Sequence, residues 1–270
     1  MQFYREKIIS TFDNYVSQYD KSNIKVQLKI DHTYRVAEIC DKITSSLELD
    51  KDEKDFAWFS GVLHDIGRFE QLRQYHTFQD KISCNHAALS ADILFKKNLI
   101  LDFVEESECD FNMMENVIRY HNVLDLPDKQ SEKESMFCNI LRDADKIDIL
   151  KVNCDTPRSE IYDLPEQAFL QSSITDSVLD DILNKRSVDR KNSCTGIDFI
   201  LGHISFIFGL VYPESVRIAK EQGYLQTLLD FKSENEDTSK KLIKVKKVVQ
   251  EYMNSSICLD TPRTKRGETK

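Results

Sequence analysis

The sequence predicts an all-α fold, and two observations carry that expectation. Helical spacing of apolar residues recurs along almost the whole chain, and 5 prolines and 7 glycines are all that punctuate its 270 residues, so few positions force a helix to stop. A hydrophobic share of 40% beside 31% charged residues is that of a globular protein.

The elements follow in order. Phe3, Ile8, Phe12, Tyr15 and Val16 trace one stripe of a first helix. From Ile24 to Leu47, Val26, Ile30, Thr33, Ala37, Cys40 and Ile43 recur at threes and fours and give a second. Asp50 or Asp52 supplies the N-cap of a third, which runs through Phe56, Trp58, Val62 and Leu63 and ends at Gly67. Arg68 to Ser83 holds Phe69, Tyr75 and Phe78 without a clear period and reads as a loop with room for a short helix. Asn85 caps the next helix, His86 to Lys97; further helices fit Phe111 to His121, Glu132 to Asn153 and, in pieces, Leu164 to Lys185. Asp155 to Leu164 (DTPRSEIYDL) marks a boundary, because Pro157 interrupts a long helical pattern. A polar stretch from Asn184 to Gly196 leads into an apolar helix pair running through Leu229, and an amphipathic helix spans Thr238 to Asn254. The polar end, 260–270 (DTPRTKRGETK), is expected to be disordered. The domain reading is a helical core over 1–155, a C-terminal helical extension over 156–256 packed on that core, and a disordered tail over 257–270. There is no internal repeat and no low-complexity tract.

Composition excludes several functions. A net charge of −9 repels polyanions, and bulk nucleic-acid binders draw most of their affinity from a basic surface. The one lysine-rich stretch, Lys240 to Lys247 (KKLIKVKK), reads as the solvated face of a helix. Seven cysteines, at 40, 84, 109, 138, 154, 194 and 258, form no Cys-x-x-Cys pair, and their odd number points to reduced thiols in a cytoplasmic protein. The N-terminus (MQFYREKIISTFDNYV) carries charges throughout and lacks the apolar run of a signal peptide. The most apolar window, Ile197 to Tyr212, includes Asp198 and His203 and is too short to span a bilayer. The expectation is a soluble, intracellular protein.

Chemistry concentrates in the histidines. Of six, His32, His64, His86 and His121 precede Asp145 in helical or helix-terminal contexts; His76 and His203 are the others. A metal site needs neutral imidazoles and carboxylates converging from separate elements, and helices can supply one inward ligand each. In VLHDIGRFEQ, His64 and Asp65 are adjacent. Neighbours on a regular helix point about 100° apart, so their convergence on one ion requires a helix end, which the Gly67 bend is expected to provide. Asp145 has rivals in Asp143 and Asp148, the latter on its own helix face.

These segments resemble the HD superfamily of metal-dependent phosphohydrolases: DHTYRVAEI around His32, GVLHDIGRFEQ around His64 and Asp65, NHAALSADIL around His86, VIRYHN around His121 and LRDADKIDIL around Asp145. The resemblance covers roughly residues 25–155. It implies an HD-domain helical bundle with additional C-terminal helices. It also implies one divalent ion on His32, His64, Asp65 and Asp145 and a second on Asp65, His86 and His121, with Asp65 bridging and iron, manganese or a similar transition metal as the ions. Two such ions would share a water and present it, as hydroxide, to a phosphorus atom. Asp65 and Arg68 are the expected catalytic residues. Arg68, where many relatives carry a phosphate-facing lysine, is also expected to bind substrate phosphate, with Arg35, Lys146 and His76 as weaker candidates and Tyr75 beside the pocket. His203 is expected to be a buried, hydrogen-bonded histidine, and Gly196 to Leu229, with Phe199, Phe206, Phe208 and Tyr212, a cap or homodimer surface.

The substrate implied is a small phosphorylated molecule, a nucleotide foremost, and neither bulk nucleic-acid binding nor a membrane partner is expected. The segment YHNVLDLP at His121 lacks the doubled histidine and downstream Gly-Tyr-Pro of the cyclic-di-guanylate branch. The larger scaffolds of the deoxynucleotide triphosphohydrolases and alarmone hydrolases are also missing, whereas dinucleoside tetraphosphate hydrolases use a similar ligand set in a smaller chain. The alternative reading is an HD-type oxygenase whose mixed-valent di-iron pair cleaves a C–C or C–P bond, and a third is a non-catalytic nucleotide sensor. The C-terminal ~115 residues match no family in this reading, and substrate choice is expected to lie there.

Overall fold

The computed structural model describes residues 4–256, Glu106 and Ser256 by their backbones alone. Phe3, Cys258 and the tail 257–270 lie outside the described residues. Among the described residues all regular structure is helical and there is no strand, as the scarcity of breakers predicts. They divide into two compact units within one helix, at Asp148 and Ile149.

The first unit is built from α1 (Arg5–Val16), α2 (Ile24–Ser45), α3 (Lys51–Leu63), α4 (Ile66–Tyr75), α5 (His86–Ala91), α6 (Ile100–Phe103), α7 (Phe111–Arg119) and the first part of α8 (Glu132–Asp155). α3 is its centre: every residue from Asp55 to Leu63 is buried, as expected of a helix apolar on all sides. α2, α1 and α7 pack around it, and Phe137 of α8 meets Phe56 at 4.5 Å between ring centroids. Asp50, not Asp52, caps α3: its side chain accepts from the Glu53 amide while Glu53 returns the bond, a complete capping box. Asn85 caps α5 by accepting from the Ala88 amide.

Three expectations are refined. In Arg68 to Ser83, expected as a loop with room for a short helix, that helix is α4, which runs as far as Tyr75 and buries Phe69 and Leu72. The weak period arises because Glu70 and Gln71 are buried too, so the inward face is not marked by apolar residues alone. The expected helix from His86 to Lys97 has two parts, α5 and a π-helical turn over Asp92–Lys96. The presumed boundary at Asp155 to Leu164 contains a short helix, α9 (Arg158–Tyr162).

The second unit continues with α10 (Gln167–Leu170), α11 (Asp176–Leu183), α12 (Gly196–Ile204), α13 (Pro213–Gln222), α14 (Tyr224–Leu229) and α15 (Glu236–Ser256). α15 packs on α11, α13 and α14, burying Val245, Val249 and Met253. Lys240, Lys244 and Lys247 are exposed, the solvated face expected. His203 is half-buried rather than buried, and its Nδ1 lies 2.7 Å from the Tyr162 hydroxyl. Every described cysteine is a free thiol, and no described helix is long and apolar enough to cross a membrane.

Candidate metal centre

Close helix packing starts the site. Gly61 of α3 faces Ala37 of α2, and a Cβ at position 61 would stand 2.8 Å from the Ala37 Cα; glycine lets the two backbones meet. That approach sets His32 of α2 beside His64, just past the end of α3. His64 keeps helical angles, Asp65 leaves them (φ −106°, ψ 16°), and α4 begins at Ile66. This break turns two adjacent side chains toward one point. Gly67 does not make the bend, contrary to expectation, because it lies inside α4. A Cβ there would stand 2.6 Å from the Ser90 amide nitrogen and 3.0 Å from the His86 carbonyl oxygen, so glycine lets α4 lie against α5. The Gly67 amide donates to Ser90 Oγ at 2.9 Å. His86 is the first residue of α5, His121 follows the end of α7, and Asp145 stands on α8.

The ligand atoms form two groups that share Asp65. In the first, His32 Nε2 lies 3.2 Å from His64 Nε2, 3.2 Å from Asp145 Oδ1 and 3.5 Å from Asp65 Oδ2. His64 Nε2 is 3.5 Å from the same Asp65 Oδ2 and 3.8 Å from Asp145 Oδ1. In the second, His86 Nε2 and His121 Nε2 are 3.0 Å apart and lie 3.6 and 3.8 Å from Asp65 Oδ1. Donors held ~2.1 Å from a tetrahedral ion stand roughly 3.4 Å from each other, so these spacings suit ligands around a cation. His64, Asp65 and His121 also bring ligand atoms within 4.8 Å of one another, which makes the two groups adjoin.

The outer hydrogen bonds of the histidines point to the same use. His64 Nδ1 donates to the Gly61 carbonyl at 2.8 Å and His121 Nδ1 to the Ile118 carbonyl at 2.7 Å. A carbonyl cannot donate, so those Nδ1 atoms carry the protons and the inward Nε2 atoms present lone pairs. His32 Nδ1 meets Asp148 Oδ2 at 2.7 Å and His86 Nδ1 meets Asp80 Oδ2 at 2.6 Å. Each group therefore contains one imidazole backed by a carboxylate and one backed by a backbone carbonyl. The inward lone pairs of His86 and His121, facing each other at 3.0 Å, repel unless a cation stands among them, and Asp65 Oδ1 is buried with no hydrogen-bond partner. The donor set fits divalent metal ions.

Electrostatics agree. Burial pushes His64 down to about 4 and His86 to about 3, and lowers His121 as well. Burial would raise the Asp65 carboxyl, but Lys29, His64 and Arg68 together hold it well below the usual range; Asp145 is lowered against the same burial by His32 and its neighbours. Most of the cage is thus neutral imidazole and ionised carboxylate near pH 7, the forms that bind metal. His32 differs: burial and Lys29 work to lower it, but its bonds to Asp145 and Asp148 outweigh them and raise it.

The other expected residues fall in distinct places. Arg68 points toward the centre with Nε 3.6 Å from Asp65 Oδ1, while its Nη1 donates to Gln71 Oε1, the Phe78 carbonyl and Asp80 Oδ1. Arg35 grips Asp148 through Nε at 2.6 Å and Nη2 at 2.9 Å, which places it behind His32. Asp148, a rival for the ligand role, backs His32 instead, and Asp143 belongs to neither group. Lys146 is half-buried on α8 beside Asp145. His76 ends α4 in a left-handed conformation (φ 58°) and is exposed, as is Tyr75 at 44%. Sequence reasoning missed Lys29 and Asp80. Lys29 stands one helical turn before His32, and that spacing was the available signal. Asp80 lies in a 3₁₀ turn over Asp80–Ile82 with no periodic signal at all.

Residues 30–151 match the family model of the HD domain. The chain carries an HD domain. No curated protein and no solved structure matches the chain. HD domains make up an all-α, metal-dependent superfamily of hydrolase type, and the matched span of this HD domain holds all six expected ligands, from His32 to Asp145.

Proposed function

We propose that this protein is a metal-dependent phosphohydrolase acting on a nucleotide or another small phosphoester or phosphoanhydride, with two divalent ions held by the groups that meet at Asp65. The observation that carries the reading is the division of Asp65: Oδ2 faces His32 and His64, whereas Oδ1 faces His86 and His121. A pair of ions bound there would supply Lewis acidity toward a phosphoryl oxygen and lower the pKa of a water. The protein's own part is to fix and charge the surroundings. His32, His64 and Asp145 complete one group, and His86 and His121 the other. Arg68, tethered through Nη1 by Gln71, the Phe78 carbonyl and Asp80, holds its unpaired Nε–H toward the centre, where it can donate to a phosphoryl oxygen. Burial of the ligands excludes water and strengthens each of these interactions. Lys146 and His76 are assigned to the substrate side, while Arg35 acts through Asp148 on His32. We assign no bulk nucleic-acid or membrane partner, and the C-terminal helices to substrate choice or self-association.

The test is metal analysis of anaerobically purified protein, then a phosphate-release screen over nucleotides, dinucleotides and phosphomonoesters with manganese, iron or cobalt. Phosphate release without oxygen, lost by at least about a hundredfold in Asp65→Ala, is the expected result. Oxygen uptake with a mixed-valent di-iron signal and no phosphate release would replace the hydrolase by an oxygenase. Unchanged metal content and activity in Asp65→Ala would remove the site assignment.

A further inference from the structure

Two cations stand at Asp65, and they are held very differently. Lys29 Nζ lies 2.6 Å from Asp65 Oδ2, on a side chain 12% exposed. That oxygen is the one 3.5 Å from both His32 Nε2 and His64 Nε2. Arg68 Nε lies 3.6 Å from the other oxygen and is buried with no hydrogen-bond partner. Both cations lie 5.6 Å from the centre of the Phe78 ring, so that ring and Asp65 border them together. Arg68 is tied by three acceptors. Lys29 has a compact charge on a flexible four-carbon stem and one acceptor to leave.

We propose that Lys29 and a divalent metal ion are alternative partners of Asp65 Oδ2, and that ion binding releases the Lys29 ammonium to the anionic group of the substrate. This rests on the metal-dependent reading above. The physics is direct. An ammonium and a dication on one buried carboxylate oxygen repel strongly where water is excluded, and the mobile cation gives way. Once released, it stands with Arg68 on the same side of the centre, and two positive charges beside an occupied metal site favour a phosphate or carboxylate. Because coupling between ligands is reciprocal, an anion that takes up Lys29 must tighten the metal, and the metal must tighten the anion. Lys29 is thus a positioning and charge-matching residue, one helical turn from the ligand His32, that links metal loading to anion binding.

The experiment is a manganese titration of chelator-stripped, full-length protein against a chromogenic chelator, with and without inorganic phosphate. Lys29→Met, lacking the competing ammonium, is expected to bind manganese on the order of tenfold more tightly than the native protein without phosphate. Phosphate is expected to tighten manganese binding in the native protein and to do so far less in the variant. Lys29→Gln, which keeps a donor for Asp65 without the charge, is expected to behave like Lys29→Met and serves should the latter fold poorly. Equal or weaker manganese binding in both variants would overturn the competition. An unchanged phosphate effect would overturn the release to an anion. Neither readout involves turnover, so a failure of hydrolysis in the phosphate-release screen is distinguishable from a failure of this coupling.

Discussion

Replacing Asp80 by Asn is expected to weaken one metal group and spare the other. Asp80 Oδ2 backs His86 Nδ1 at 2.6 Å, while Oδ1 accepts from Arg68 Nη1 and Gln71 Nε2, each at 3.0 Å. An asparagine offers one acceptor oxygen where the carboxylate offers two. It can therefore back His86 or receive Arg68 and Gln71, but not both, and it carries no charge. Loss of a carboxylate behind a ligating imidazole typically costs 10–100-fold in metal affinity, or about 1.4–2.7 kcal/mol. The bond lost here is short and charge-assisted, which favours the upper half of that range. Asp148→Asn is the mirror experiment, since Asp148 backs His32 at 2.7 Å. A titration of stripped protein that resolves stoichiometry should show native protein taking two ions per chain. Asp80→Asn should lose the weaker step toward His86 and His121, and Asp148→Asn the step toward His32 and His64. Equal losses on a single step in both variants, or one ion per chain in the native protein, would refute the division of Asp65 between two groups.

Gly67→Ala should destabilise the fold, because its Cβ would meet the backbone of Ser90 and His86 as well as Ser90 Oγ, and the backbone atoms cannot swing aside. Overpacking of this kind costs about 1–3 kcal/mol, and at roughly 2–4 °C per kcal/mol the melting temperature should fall by several degrees; an unchanged value would show that α4 and α5 have slack. Part of the pH dependence of stability comes from His86, which burial lowers to about 3 from an ordinary value near 6.5. Between those values the unfolded chain binds a proton that the folded chain does not. Stability contributed by neutral His86 is therefore present above pH 6.5 and is lost as pH falls, by about 1.4 kcal/mol per unit. Denaturant unfolding with chelator between pH 4 and 6 should show His86→Gln with a slope flatter by about that amount.

Much of the site can be read directly from the chain. Residue type narrows the candidates to a few imidazoles and carboxylates in helical contexts, and the HD resemblance then implies the set His32, His64, Asp65, His86, His121 and Asp145. Helix positions follow from apolar spacing and from caps such as Asp50 and Asn85, whose effects reach no further than one turn. Tertiary structure decided what spacing does not encode. The sequence marks α4 only as room for a short helix in a loop because its inward face includes Glu70 and Gln71, whose burial depends on the tertiary packing. Gly67 appeared to be a bend because a glycine's purpose depends on what approaches it, and here that is α5. The same holds for the second layer around the ligands. Asp148 was a rival ligand until its place behind His32 was seen, Arg35 a phosphate binder until Asp148 claimed it, and Lys29 and Asp80 were invisible. The sequence by itself determined the helical class through local spacing, and through its resemblance to HD domains it marked the six side chains expected to hold metal. The tertiary structure alone decided which oxygen of Asp65 faces which histidines and which charges stand behind them, because those are distances between helices far apart in the chain.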